Sequence, residues 1–159
     1  MYLHEMVAFF PFYNEEARDC TRVYLNDGSE QIYNEPIQSF IKNWLDYYHL
    51  DISTLQRYAY RRIYRKVHIP IVITHEHFYL PVKMRKTYGK YDHAYGYILR
   101  TESHGYEFYW KYLRPEDRLI VESQKTYIRN QELSALVLAY DYYKYGRDLE
   151  FLRRPPNPS

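Results

Sequence analysis

Residues 57–90 read RYAYRRIYRKVHIPIVITHEHFYLPVKMRKTYGK. Two apolar runs within them, 69–74 and 78–83, are rich in branched and aromatic residues and flank His75-Glu76-His77, the pattern of two antiparallel strands joined by a tight turn. Cations bracket this hairpin: Arg57, Arg61, Arg62, Arg65 and Lys66 come before it, and Lys83, Arg85, Lys86 and Lys90 lie at its end and beyond. The only acid among them is Glu76, so the stretch carries +8 in a chain that sums to +2, leaving −6 for the rest. Charge segregation of this size points to a partner with regularly spaced negative charge, and nucleic acid is the first candidate. Tyr58, Tyr60, Tyr64, Phe78, Tyr79 and Tyr88 are interleaved with the cations. Guanidinium and ammonium groups neutralise phosphate while phenols stack on bases or donate to phosphate oxygens, which distinguishes the stretch from a merely solvated charged face.

Residues 51–66 admit two readings. Ser53 or Thr54 could cap a helix through Lys66, placing Arg57, Arg61 and Arg65 on one i, i+4 ridge; alternatively Tyr58, Tyr60, Arg62 and Tyr64 alternate as in a strand. The helix is the slightly better fit. Residues 83–92 read as a cationic loop projecting from the hairpin.

Moving outward, residues 7–13 form an aromatic strand candidate followed by a turn-prone segment at 14–19. Residues 21–25 and 30–33 flank Asn26-Asp27-Gly28-Ser29, a second hairpin signal. Asn34-Glu35-Pro36 opens a helix, and Ile37, Phe40, Ile41, Trp44, Leu45 and Tyr48 fall on one face of it, a core face by its spacing. On the C-terminal side, 94–101, 106–112, 118–122 and 125–129 read as short strands separated by turns. A last helix starts near Asn130 with Leu133, Leu136, Val137 and Tyr140 on one face. The expected fold is therefore α+β, antiparallel β-hairpins with two or three helices in a single domain over 1–150, with 151–159 a disordered Pro-rich tail.

At 159 residues the chain has the length of one domain. Its 22 tyrosines explain how 46% hydrophobic composition coexists with a mean hydropathy of −0.69, and they predict a core with phenolic edges. Cys20 is the single cysteine, so no internal disulfide forms; its expected place is the core. The N-terminal residues lack a basic leader and no apolar run reaches the ~18 residues of a membrane span, so the expected location is the cytoplasm, on the nucleoid.

Little suggests catalysis. Gly28, Gly89, Gly96, Gly105 and Gly146 are scattered and make no phosphate loop, and there is no nucleophile elbow. His75 and His77 would share one face of a strand and could ligate a metal, but no third ligand is visible, and three polar residues at a hairpin tip are the plainer reading. A His-dependent metal hydrolase stays as the remote alternative. The nearer one is a non-catalytic interaction module, in which the acidic first fifty residues (net −5) of one copy dock on the basic middle fifty (net +7) of another. Neither a catalytic residue nor a cofactor is expected.

Asn34-Glu35-Pro36-Ile37, the pair Tyr47-Tyr48, the arginine-rich segment, Ile69-Pro70-Ile71-Val72-Ile73, Phe78-Tyr79-Leu80-Pro81, Ala94-Tyr95-Gly96-Tyr97-Ile98 and Lys125-Thr126 occur in an order that resembles the ComK competence transcription factors of low-GC Gram-positive bacteria. The resemblance spans about residues 21–145. The chain departs from that pattern at His49-Leu50, at Ala94-Tyr95, where the family has a cysteine before its glycine, and at Gln124, where it has a turn glycine. The resemblance implies a transcription activator that binds paired AT-rich boxes as a dimer or tetramer from the minor groove, and that an adaptor delivers to a Clp protease. Narrow AT-rich minor grooves concentrate negative potential, so a cationic loop has a physical reason to prefer them. The DNA-contacting residues expected on this reading are Arg57, Arg61, Arg62, Arg65, Lys66, Lys83, Arg85, Lys86 and Lys90.

Overall fold

The computed structural model describes residues 6–86 and 93–144. Six strands, β1 (Met6–Tyr13), β2 (Asp19–Leu25), β3 (Glu30–Tyr33), β4 (Ile71–Thr74), β5 (His77–Lys83) and β6 (Tyr95–Thr101), form one antiparallel sheet in the order β3-β2-β1-β6-β5-β4. The sheet is thus two three-stranded meanders, each built from neighbours in sequence, joined where β1 meets β6. Seven residue pairs register β5 on β6, whereas the β1–β6 seam has two, Ala8 with Ile98 and Phe9 with Tyr97. Gly96 makes that seam possible. A Cβ there would meet the Phe10 ring and sit 2.8 Å from the carbonyl oxygen of Phe9.

Alternation along β1 sends adjacent aromatics to opposite faces. On one face Phe9 packs against Trp44 (5.3 Å) and Phe40 (5.5 Å) of α1 (Ile37–Tyr47) and stacks on Tyr97. Phe10, on the other, meets Tyr24 edge to face, and the Tyr24 hydroxyl donates to Asp117 of α3 (Pro115–Glu122). Arg100 carries the same face to Glu132 of α4 (Lys125–Lys144) at 3.5 Å. Helices therefore cover both faces of the sheet. Phe9, Phe10, Tyr24, Phe78 and Tyr79 are fully buried, each contributing about 2–3 kcal/mol of transfer free energy.

The first helix behaves as its sequence dictates: Ile37, Phe40, Ile41, Trp44 and Leu45 are its buried face. It closes with a Schellman arrangement, Leu50 N–H to Leu45 C=O at 2.8 Å and His49 N–H to Asp46 C=O at 3.0 Å, with His49 in the left-handed region where glycine is usual. α2 (Ile52–Ile63) is capped not by Ser53 or Thr54 but by Asp51, whose carboxylate accepts from Ser53 N–H at 3.1 Å. It ends at Ile63, three residues short of Lys66, and is capped by Tyr64, which adopts φ 60°.

The helix count corrects the sequence reading. Among the described residues there are five helices, not two or three, because segments expected as strands are helical: a 3-10 helix at Tyr106–Tyr112, then α3, then the first turns of α4. In the 3-10 helix the buried residues Tyr106 and Tyr109 are three apart, the period of that helix and not of a strand. α3 begins with Pro115 and has Glu116 and Asp117 in its first turn, both helix-start features. α4 begins five residues before Asn130, and its buried face is Ile128, Gln131, Ala135, Leu138 and Ala139. Leu133, Leu136 and Tyr140, the face expected in the core, point to solvent. Cys20 is buried, as expected. The expected tail at 151–159 and the middle of the expected loop lie outside the described residues.

Candidate nucleic-acid interface

α2 sorts its side chains into three flanks. Leu55 and Ala59 are buried against the body. Tyr58 and Arg62, one turn apart, face α4 and converge on the buried Asp141 carboxylate, each at 2.6 Å. Arg57 and Arg61, also one turn apart, point outward with Tyr60, and the chain continues through Tyr64 to Lys66, whose ammonium lies 4.5 Å over the Tyr60 ring. Tyr64 is 80% exposed. A tyrosine at left-handed φ costs on the order of 1 kcal/mol, and here that strained residue stands at the tip of the cationic flank.

The nine expected residues therefore divide. Arg57, Arg61, Lys66, Lys83 and Lys86 are exposed, and none of them forms an ion pair with another described residue. Arg62 is committed to Asp141, and Arg65, past the end of α2, donates to Gln131 of α4 at 3.0 Å. Arg85 is mostly covered. Its guanidinium pairs with Asp19 at 2.9 Å, donates to the His93 carbonyl at 3.1 Å and lies 4.1 Å over the Tyr13 ring. Lys90 is outside the described residues. The i, i+4 ridge thus holds Arg57 and Arg61 but not Arg65, because the left-handed Tyr64 turns the chain toward α4. The Asp19–Arg85 pair also joins the acidic and basic zones within one chain, so part of their complementarity is met internally.

A second cluster of cation and aromatic groups surrounds the 3-10 helix. His104 stacks on the exposed Phe108 with ring centroids 3.8 Å apart, and the Lys111 ammonium sits 4.0 Å over the same Phe108 ring. Sequence reading did not single these residues out, since a strand assignment sends Phe108 and Lys111 to opposite faces. The three-residue spacing of Phe108 and Lys111 is the signal that reveals them.

The histidine hairpin tip does not gather ligands. His75 pairs with Glu76 at 3.2 Å and meets Tyr143 edge-on, whereas His77 hydrogen-bonds the Tyr79 hydroxyl at 3.3 Å. Among the described residues no three His, Cys, Asp or Glu side chains come together as a metal site, which weighs against the metal-hydrolase alternative. No described helix is long and apolar enough to cross a membrane. The chain matches no protein-family model, no curated protein and no solved structure.

Proposed function

We propose that this protein binds double-stranded DNA through the outward flank of α2, as a transcription regulator of the ComK-like kind. The observation that carries the reading is the flank itself. Arg57 and Arg61 stand one turn apart with Tyr60 and Tyr64 between and beyond them, Lys66 follows, and none of the three cations is neutralised by a described acid. Arg57, Arg61 and Lys66 neutralise backbone phosphates, and Tyr60 and Tyr64 donate to phosphate or stack at the groove edge. Lys86 extends the basic surface from the loop after β5. The preference for AT-rich minor grooves, activation of transcription and delivery to a Clp adaptor rest on the family resemblance.

For the self-association which that resemblance implies, α4 supplies the candidate surface. Leu133, Leu136, Tyr140 and Tyr143 are exposed at spacings of three, four and three residues, the a/d seam of a helix that pairs with another helix. A second copy of α4 supplies a matching seam. Light scattering of a Leu136→Glu variant tests this, a monomer being expected where the wild type is a dimer.

The test of DNA binding is a fluorescence-anisotropy titration against AT-rich and GC-rich duplexes of equal length across a salt series. Wild type is expected to bind the AT-rich duplex more tightly. The Arg57→Ala/Arg61→Ala double variant is expected to lower the log–log salt slope by about 2, one unit for each phosphate that is no longer neutralised. A slope and affinity equal to wild type would remove α2 from the interface.

A further inference from the structure

On the sheet face covered by α1, an open pocket of about 700 Å³ lies between α1, α2 and the end of the β5–β6 ladder. Ile37 and Ile41 of α1, Ile52 of α2 and Tyr97 of β6 make its apolar floor. Lys42, His68, Lys83 and His93 stand around its rim with two glutamines, and no Asp or Glu among the described residues lines it. This is the size of a small-molecule site, and its lining sets an apolar floor against a rim of glutamine, lysine and histidine side chains.

The rim is held in place by α4 and the turn before it. Gln124 grips the Lys83 backbone from both sides, accepting from its N–H at 3.0 Å and donating to its C=O at 2.5 Å. The buried Gln131 donates to the His68 carbonyl at 2.8 Å, fixing a residue whose φ of 50° is itself left-handed. The His68 ring then stacks on Tyr95 with centroids 3.7 Å apart. Burial, followed by the nearby His93 and Lys83, holds the His68 pKa below its usual value, as expected where basic groups crowd together without a counter-charge. Two glutamine clamps therefore position basic groups over an apolar floor.

We infer that this pocket binds an amphipathic organic anion, with a hydrocarbon body on Ile37, Ile41 and Ile52 and a carboxylate or phosphate head between Lys42 and Lys83. The reading is separate from DNA binding and assigns Lys83 to the pocket instead of the duplex. The same helix serves both: Ile52 and Gln56 of α2 line the pocket, and Arg57 and Arg61 face away from the body.

Isothermal titration of the full chain with decanoate, decyl phosphate and decanol tests the site, alongside a Lys42→Gln/Lys83→Gln variant. Both lysines are exposed, so the variant is expected to fold as wild type by circular dichroism. The expected result is one-to-one binding of at least one of the two anions, at least tenfold tighter than decanol and weakened at least tenfold in the variant. The tighter anion identifies the head group. Failure of both anions to bind, decanol binding equally well, or binding undiminished in the folded variant would overturn the assignment.

Discussion

Arg61 and Arg62 are adjacent in the chain and do opposite things in the fold. Arg61 projects from the outward flank of α2 with no ion-pair partner among the described residues, while Arg62 reaches across to α4, where it shares the buried Asp141 carboxylate with Tyr58. A hundred degrees of helical rotation separates a group available to a ligand from one that ties two helices together. The tyrosines divide the same way. Tyr60 and Tyr64 are on the surface, and Tyr24, Tyr79 and Tyr97 are packed into the sheet. Charge and aromatic content alone are therefore poor guides to an interface; what matters is whether the group's partner lies within the protein.

The contrast is broken most severely by alkali. Burial first of all raises the phenol pKa values of Tyr24, Tyr79 and Tyr97 well above the usual value near 10. A raised folded pKa contributes stability that is fully present below the unfolded value and is lost as pH climbs through the folded one. With three phenols protonated in the folded state and progressively ionised in the unfolded state, the free energy of unfolding is expected to fall by about 3 kcal/mol between pH 10 and pH 11. Urea melts between pH 9 and 11, with phenolate absorbance followed in parallel, check this.

Next in size is Arg62→Ala, which leaves the buried Asp141 with Tyr58 but without its cation. A loss of about 2 kcal/mol is expected by chemical denaturation, the partial exposure of Arg62 keeping it below the cost of a fully buried pair, with no change in the salt slope of DNA binding. Arg61→Ala should do the reverse: stability within about 0.5 kcal/mol of wild type and a salt slope lower by about 1. A smaller effect than that of Arg62→Ala, and of opposite sign on stability, is expected from Tyr64→Gly. Relief of the left-handed backbone should add about 0.5–1 kcal/mol of stability while DNA binding weakens for want of the ring, so a thermal melt and a titration would move in opposite directions.

How much of this the sequence disclosed depended on whether a segment's period was unambiguous. The hairpin at Asp27-Gly28 was legible because Gly28 takes φ 87° in a turn that needs it, and the α1 face because five apolar residues keep helical spacing. Segment 106–122 misled, since tyrosines and branched residues suit a strand as well as a helix, and the deciding cues were Pro115 and the three-residue interval of Tyr106 and Tyr109. α4 was misread by one face because its core side uses Ala135, Ala139 and a buried glutamine while larger apolar residues lie outside. For the site, composition located the basic stretch but could not separate Arg61 from Arg62 or commit Arg85 to Asp19, since those partners are 79 and 66 positions away.

The two-pair seam between β1 and β6 bears on how the chain reaches this state. Each meander closes through pairing between neighbours in sequence, but Ala8 and Ile98, which meet at the seam, are ninety positions apart. Loop-closure entropy leads us to expect that junction to be the slow and late event of folding, with each half-sheet formed before the two are zipped together past Gly96. A chain cut between α2 and β4 keeps both half-sheets whole, so its two pieces are expected to reassemble when mixed, and substituting Gly96 would abolish the reassembly while leaving each piece its own strands.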